Sequence, residues 1–186
     1  MDNSLFTITI ILLFTICIIY IIVTYNKGIK LRNYVREAFS IMDVYLKKRW
    51  DLIPNLIEVV KSYAQHEKEL FESISKIRTG DYSSYSYDSK INTNIQLEFI
   101  LPKIIAVAEN YPELKANEHF SKLMSELVDI ENDIANSRKY YNGTVRELSN
   151  YLEIFPSSVI AAIFGIKGAK MFEISDNERK DVEVNF

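Results

Sequence analysis

The sequence predicts an all-α protein, with a single N-terminal transmembrane helix followed by an antiparallel four-helix bundle with long helices. Three observations carry this prediction. A charge-free apolar run lies near the N-terminus, apolar residues recur at helical spacing through the remainder, and the chain has only five glycines and four prolines. A fold of many strands needs more tight turns than this composition provides.

Length and charge narrow the classes of protein to consider. The 186 residues suffice for one compact domain and a membrane span. The net charge of −3 argues against a nucleic-acid-binding protein. The one cysteine, Cys17, lies inside the apolar run, so we expect neither a disulfide framework nor a cysteine-rich metal site.

The apolar run extends from Leu5 to Val23 and has the length of a membrane span. Fourteen of its nineteen residues are Leu, Ile, Val or Phe. A helix of this length measures roughly 28 Å, close to the thickness of the hydrocarbon core. Asp2 precedes the run and no small residues follow it, unlike a cleaved signal peptide. We therefore predict an uncleaved anchor over residues 5–25.

Basic residues flank the run on one side only, which predicts the orientation of the chain in the membrane. Four of them follow it, namely Lys27, Lys30, Arg32 and Arg36, and none precedes it. The positive-inside rule places the region after the run in the cytoplasm.

The sequence thus predicts a single-pass protein of the cell membrane that contacts the lipid bilayer through residues 5–25. Its predicted parts are an extracytoplasmic N-terminus (1–4), the anchor (5–25), a cytoplasmic helical bundle (27–155), and a short apolar helix with a charged tail (156–186).

The first soluble helix is predicted to continue from the anchor. Apolar residues recur at helical spacing from Leu31 to Leu46. Pro54 lacks an N–H and restricts the residue before it, so we expect the helix to break over residues 49–55 and the chain to reverse. Asp51 is a candidate cap for the helix that follows.

A second helix is predicted to begin near Pro54. Its apolar stripe runs from Leu56 to Ile77, and Gly80 suits a left-handed cap at its end. Residues 81–92 are rich in Ser and Tyr without helical spacing, and we predict an exposed loop there.

The third helix is predicted from about Thr93 to Glu109. Pro102 lies in its middle, where a proline costs about 3 kcal/mol or bends the helix unless the helix begins there. Residues 110–112 end this helix. A long fourth helix follows, with apolar residues at alternating spacings of three and four from Phe120 to Leu152.

The C-terminal part contains a short apolar stretch, residues 159–166, that cannot cross a bilayer. We expect a short helix that closes one end of the bundle; the alternative is an interfacial contact with the membrane. From Ser175 the chain is charged, and it ends with an alternating, strand-like pattern over residues 182–184.

Motifs with catalytic or metal-binding spacing do not occur around the two histidines. Tyr63 and Ala116 stand three residues before His66 and His119, where a di-iron bundle needs glutamate. Leu70 stands where a zinc protease needs its second histidine. The chain also contains no glycine-rich phosphate loop or nucleophile elbow. We therefore predict no enzyme, no cofactor and no metal site.

Polar residues on the flank of the fourth helix predict contacts with another helix. Glu131 and Arg138 are seven residues apart and Asn142 follows four residues later, so all three lie on one side. We expect them to join a hydrogen-bond network between helices.

Seven short pieces of the sequence together resemble the LemA family of bacterial membrane proteins, and the resemblance extends from Tyr25 to about Phe164. They read Tyr-Asn from residue 25, Arg-Asn-x-Val from 32, Asp-Val from 43, Lys-Arg-x-Asp-Leu-Ile-Pro-Asn-Leu from 48, Tyr-Ala-x-His-Glu from 63, Glu-Asn-Tyr-Pro-x-Leu-Lys-Ala from 109 and Arg-x-x-Tyr-Asn from 138. The resemblance implies a short extracytoplasmic N-terminus, one anchor, an antiparallel four-helix bundle and no enzymatic activity. The candidate structural or interaction residues in these motifs are Arg49, Asp51, Pro54, Asn55, His66, Glu67, Glu109, Asn110, Tyr111, Pro112, Arg138, Tyr141 and Asn142.

Three functions are consistent with these observations. The preferred hypothesis is an interaction or scaffold protein that binds an unidentified protein partner, or a second copy of itself, at the cytoplasmic face. The first alternative is an enzyme or small-ligand sensor with a polar pocket formed by Arg49, Asp51, Glu109 and Arg138. The second is a bilayer-shaping protein in which residues 159–166 enter the membrane interface.

Overall fold

The computed structural model describes residues 3–172, which form helices and no strand. The prediction of an all-α protein is thus confirmed for this part of the chain. A short 3₁₀ helix, Tyr82–Ser84, lies between α2 and α3. The seven α-helices of the described region are α1 (Asn3–Tyr63), α2 (Lys68–Ile77), α3 (Tyr87–Glu98), α4 (Leu101–Asn110), α5 (Pro112–Lys115), α6 (Glu118–Glu153) and α7 (Ser157–Ile163).

The described residues divide into two compact units. The first contains residues 3–39 and 139–171, and the second contains residues 40–138 together with Phe172. Helices α1 and α6 each contribute residues to both units.

The N-terminal part of α1 has the properties of a membrane span. The helix contains an 18-residue apolar window, none of which is buried, and it is the one helix among residues 3–172 that is long and apolar enough to cross a bilayer. The first unit therefore has a helix that could span a membrane, as the sequence predicts.

The first unit is held together around Tyr151 of α6, which is buried. Its hydroxyl donates a hydrogen bond to the carbonyl of Thr24 in α1. Gly28 makes this approach possible, because a Cβ there would lie 3.0 Å from the Tyr151 ring and 2.7 Å from the side chain of Ile166. Tyr141, also buried, donates a hydrogen bond of 2.7 Å to the carbonyl of Lys170.

In the second unit, buried apolar side chains come from every α-helix that it includes. Those of α1 recur at helical spacing, which accounts for the stripe seen in the sequence. The buried set includes Met42, Leu46, Ile53, Leu56 and Val60 of α1, Leu70 and Ile74 of α2, Leu97 of α3, Ile104 of α4, Leu114 of α5, and Leu127 and Ile134 of α6.

Helix α1 passes through Pro54 without a break, so the predicted break over residues 49–55 is wrong. A proline inside a helix leaves the carbonyl four residues earlier without its usual donor. Here that carbonyl belongs to Trp50, and the guanidinium of Arg78 donates to it. The guanidinium also lies 4.2 Å from the centre of the Trp50 ring. Arg78, 24 residues away in sequence, thus supplies the donor that Pro54 lacks.

The first break in the helical chain comes at residues 64–67, between α1 and α2. The apolar stripe from Leu56 to Ile77 is therefore shared between two helices and does not form one. Asp51 lies inside α1, so its predicted role as a helix cap is wrong. Gly80, after α2, has the positive φ of 117° expected of a left-handed residue.

The tyrosine-rich segment is more ordered than the sequence suggests. Residues 81–92 were predicted to be an exposed loop, but they contain the 3₁₀ helix and the first turns of α3, and Tyr82 is buried. The side chain of Ser86 caps α3 by accepting a hydrogen bond of 3.2 Å from the backbone N–H of Ser89. Local side-chain hydrogen bonds thus start a helix without an apolar stripe.

The predicted third helix consists of two helices, α3 and α4. Pro102 lies in the first turn of α4, the position where a proline is tolerated. Helix α4 ends at Asn110, as predicted, and α6 is the predicted long helix. The short apolar helix is also present, as α7. The predicted charged tail from Ser175 lies outside the described residues.

Candidate functional site

The candidate site is a buried network of charged and polar side chains in the second unit, centred on Arg49. Arg49 is fully buried. Its Nη1 donates to both carboxylate oxygens of Glu131 in α6, at 2.9 and 3.0 Å. Its Nη2 donates to the carbonyl and to Oδ1 of Asn94 in α3, both at 2.8 Å. One side chain of α1 therefore links α3 and α6.

A second arginine joins the network through Glu98 of α3. Arg138 of α6 donates a hydrogen bond to Glu98 Oε1, and the same oxygen lies 3.9 Å from Nη1 of Arg49. The Arg138 guanidinium also lies 4.3 Å from the centre of the Phe172 ring. Glu98 therefore lies between two buried arginines, which compensates the cost of burying its charge.

The network continues to Asp43 of α1. The Tyr82 hydroxyl donates a hydrogen bond of 2.9 Å to Asp43 Oδ1, and Lys90 forms an ion pair of 2.5 Å with Oδ2. Asn94 Nδ2 donates to the Tyr82 hydroxyl at 3.4 Å and so joins this group to Arg49. Burial, and then the adjacent Asp43 carboxylate, raise the pKa of Tyr82 above its usual value.

The network is balanced in charge. Three cationic side chains, Arg49, Arg138 and Lys90, are matched by three carboxylates, those of Glu98, Glu131 and Asp43. Each carboxylate accepts from at least one of these cations. The arrangement fixes α1, α3 and α6 against each other in one register, a role for which buried ion pairs are suited.

The predicted four-residue pocket does not form, because only two of its members come together. Arg49 and Arg138 both approach Glu98. Asp51 is exposed and pairs with Lys47, one turn earlier in α1, at 2.6 Å. Glu109 is exposed on α4. Glu131, predicted as part of an inter-helix network with Arg138, does bind across helices, with Arg49 as its partner.

Two further hydrogen bonds join the region between α1 and α2 to the residues on either side of α5. The Tyr111 hydroxyl donates a hydrogen bond of 3.3 Å to Glu67 Oε1. Asn117 Nδ2 donates to the Tyr63 hydroxyl at 2.9 Å. The first bond thus connects two motifs that are more than forty residues apart in sequence, Tyr-Ala-x-His-Glu and Glu-Asn-Tyr-Pro.

The remaining motif residues do not belong to either of these groups of contacts. Asn55, His66, Asn110 and Pro112 are exposed, and Tyr141 and Asn142 lie in the first unit on α6. Burial raises the pKa of Tyr141 to about 12. Within residues 3–172, no three His, Cys, Asp or Glu side chains are grouped so that they could hold a metal ion.

Sequence reasoning did not name Asp43, Arg78, Tyr82, Lys90, Asn94 or Glu98 as candidate site residues. A signal was present for two of them, since Asn94 and Glu98 are four residues apart and share a helix face beside the buried Leu97. Asp43 was noticed only as part of the family resemblance, and Arg78 carries no local signal, because its partner Trp50 is far away in sequence.

Comparison with known proteins identifies the family. The sequence pattern of the LemA family matches residues 38–186. A protein named LemA, from Metamycoplasma hominis, is 23% identical over 175 residues, which cover 92% of this chain and 80% of that protein. Magnetosome protein MamQ 2 of Paramagnetospirillum magneticum is 21% identical, and magnetosome protein MamQ of Magnetospirillum gryphiswaldense is 20% identical. These two alignments each cover 82% of this chain, and 66% and 65% of the respective relatives.

The family match includes the charge network, all of whose members lie between Asp43 and Arg138, and extends over most of the sequence. This chain therefore belongs to the LemA family.

Proposed function

We propose that this chain is a non-enzymatic, single-pass membrane protein of the cell membrane. In this proposal residues 5–25 span the bilayer, the N-terminus lies outside, and the helical region at the cytoplasmic face binds a protein partner or a second copy of the chain. The observation that carries the proposal is the continuity of α1. No loop separates the unburied apolar run from the first buried core positions, Leu31 and Val35.

This continuity suits a scaffold. A flexible linker would let a soluble domain turn freely, whereas an unbroken helix fixes the direction in which the residues that follow leave the membrane. The basic residues Lys27, Lys30 and Arg32 come directly after the run and support a cytoplasmic position for the helical region.

We further propose that α1, α2, α3 with α4, and α6 form an antiparallel four-helix bundle. In the first unit, Thr24 contacts Tyr151 and Phe39 lies near Tyr141, so residue numbers rise along α1 while they fall along α6. In the second unit, α2 follows α1 after residues 64–67, and Arg78, just past the end of α2, donates a hydrogen bond back to the carbonyl of Trp50 in α1. Both observations support neighbouring helices that run in opposite directions.

The absence of an enzymatic role is part of the proposal, and the charge network supports it. A catalytic acid or base must reach its substrate within hydrogen-bond distance. Arg49 is fully buried, and its donors already bind Glu131 and Asn94. The groups that would be best suited to chemistry are therefore used to hold helices together.

A photo-crosslinking experiment in intact cells tests the partner. A photoreactive residue is placed at Val44 of α1 or Val128 of α6, apolar positions that are each 55% exposed. Exposed apolar side chains are favoured at the centre of interfaces. The control places the same residue at Glu72, an exposed polar position on α2.

We expect at least one apolar position to give a discrete, saturable product with a protein, identified by mass spectrometry, that the control position does not give. Unlabelled full-length chain should compete for this product. Lipid adducts alone, or the same unsaturable mixture at all three positions, would contradict the scaffold proposal.

A further inference from the structure

Five large apolar side chains at the C-terminal end of the first unit are exposed, and they form what we call the apolar edge. They are Ile154, Phe155, Val159, Ile163 and Phe164. Phe155 is 78% exposed and Ile163 72%, more than any apolar residue of the membrane run, where Phe14 has the highest value of 67%. A patch of this kind on a soluble protein marks a surface that is covered by something else.

The apolar edge lies beside the end of the membrane run. The ring of Phe164 is 4.8 Å from that of Tyr25, measured between ring centres. A groove of about 460 Å³ has Tyr20 and Val23 on one side and Ile154 and Phe155 on the other. Three of the five exposed side chains, those of Ile154, Phe155 and Phe164, are therefore level with the last turns of the apolar run.

The lining of the same groove combines apolar and polar side chains, as the surroundings of a membrane interface do. Beyond Tyr20 and Val23 its lining includes Lys27, Glu147 and Asn150. The Lys27 ammonium lies 6.0 Å from the centre of the Tyr151 ring. Tyrosine and lysine side chains are typical of the boundary between hydrocarbon and headgroups.

We propose that the apolar edge inserts into the lipid interface next to the anchor, so that α7 lies in the membrane surface. The partner is the lipid bilayer itself. This inference rests on the proposed function, because residues 5–25 must span the membrane for the edge to reach lipid. Helix α7 has seven residues, too few to cross a bilayer but enough to lie along its surface. Its buried residues, Ser157, Ile160 and Ala161, face the protein, and in this proposal its exposed apolar side chains, Val159 and Ile163, face the lipid.

The test uses full-length protein in phospholipid vesicles, with an environment-sensitive fluorophore on single cysteines. Cys17 is first replaced by serine, so that each variant carries one thiol. The test positions are Phe155→Cys and Ile163→Cys. Ile105→Cys, an exposed apolar position in the second unit, is the matched control, and Ile11→Cys reports on the anchor.

For Phe155→Cys and Ile163→Cys we expect blue-shifted emission that is quenched more strongly by quenchers attached to lipid chains than by iodide in water. For Ile105→Cys we expect emission typical of water and stronger quenching by iodide than by the lipid-attached quenchers. Helix content measured by circular dichroism verifies that each variant keeps its fold.

Two results would overturn the inference while leaving the anchor in place, provided that Ile11→Cys is quenched from the lipid. One is water-like emission with iodide quenching at residues 155 and 163. The other is blue-shifted emission that neither quencher reduces, which would mean that protein covers the edge. If Ile11→Cys itself is not quenched from the lipid, the proposed anchor fails, and the inference fails with it.

Discussion

Arg49 of α1 donates hydrogen bonds to two other helices of the second unit, through Asn94 of α3 and Glu131 of α6. Replacing it with methionine removes the bonds to Asn94 and Glu131 and leaves the Glu98 and Glu131 carboxylates with one cation fewer. Because a buried charge that loses its partner is costly, we expect Arg49→Met to lower the free energy of unfolding by about 3–5 kcal/mol. The measurement is a urea titration of the full chain in detergent micelles, followed by circular dichroism.

Two further variants make this prediction specific. Lys47→Ala breaks the exposed pair with Asp51, and it should cost no more than about 1 kcal/mol. The double variant Arg49→Met/Glu131→Met should recover part of the lost stability, because it removes an orphaned carboxylate as well. Equal effects of Arg49→Met and Lys47→Ala would show that the network does not hold the helices together.

We predict that the protein loses stability at alkaline pH as the Tyr141 hydroxyl ionises. Burial raises the pKa of Tyr141 in the folded protein to about 12, above the ordinary value of 10.0. The folded state therefore holds this proton more tightly, and the resulting stability is complete below pH 10 and is lost as the pH rises toward 12. Tyr141→Phe lacks this contribution, so its stability should fall less over the same interval.

Urea titrations at intervals between pH 9 and 12 measure the effect, with Tyr140→Phe as a control for the loss of one hydroxyl on the exposed side of α6. Parallel pH curves for wild type and Tyr141→Phe would contradict the prediction. At neutral pH, Tyr141→Phe should cost about 1 kcal/mol for the lost hydrogen bond to Lys170.

At the residue scale, the sequence pointed to one residue of several contacts but not to its partner. Glu131 and Arg138 stood out because they flank the apolar stripe of the long fourth helix, and Arg49 stood out because it lies at the predicted helix break and in a family motif. Glu98 and Tyr82 did not, since α3 has no clear apolar period and its first residues look like a polar loop. Which side chains pair across helices depends on how the helices pack. The periodicity of a single helix does not describe this packing.

At the scale of the elements, Pro54 and Pro102 show why helix boundaries were harder to predict than helices. Both prolines interrupt an apolar pattern, and the same local rule applies to both. Pro102 obeys it and lies in the first turn of α4. Pro54 does not, because Arg78 donates to the Trp50 carbonyl that the proline leaves open. A compensation that comes from another helix is invisible to a local rule.

This compensation predicts that the effects of Pro54 and Arg78 are coupled. In the wild-type background, Arg78→Ala removes the donor and the contact with the Trp50 ring, and it should cost about 1–3 kcal/mol. In the Pro54→Ala background the cost should be smaller, because residue 54 then has an N–H that can bond to the Trp50 carbonyl.

A double-mutant cycle of unfolding free energies measures this coupling. Lys76→Ala, an exposed position in the last turn of α2, serves as the control and should show no dependence on residue 54. Additive effects of Arg78→Ala and Pro54→Ala would mean that Arg78 does not replace the missing donor.

At the scale of the whole molecule, the all-helical class and the apolar N-terminal helix were predictable because both follow from composition and from long periodic segments. The length of α1 was not predictable, because Arg78 compensates for the helix-breaking effect of Pro54. The membrane assignment depends on the physical properties of residues 5–23: they are apolar, uncharged and unburied. Burying such a surface in lipid removes the cost of leaving it in water.

The most direct test of the membrane assignment is the accessibility of single cysteines at the two ends of the proposed span. In a Cys17→Ser background, Ser4→Cys and Glu118→Cys are labelled in intact cells with a thiol reagent that does not cross membranes, and again after the cells are permeabilised. Both positions are exposed, so labelling reports on location and not on burial in the protein. We predict that Ser4→Cys is labelled in intact cells and Glu118→Cys only after permeabilisation. Labelling of both positions only after permeabilisation, with the protein released from membranes by alkaline carbonate, would show that α1 does not span the bilayer.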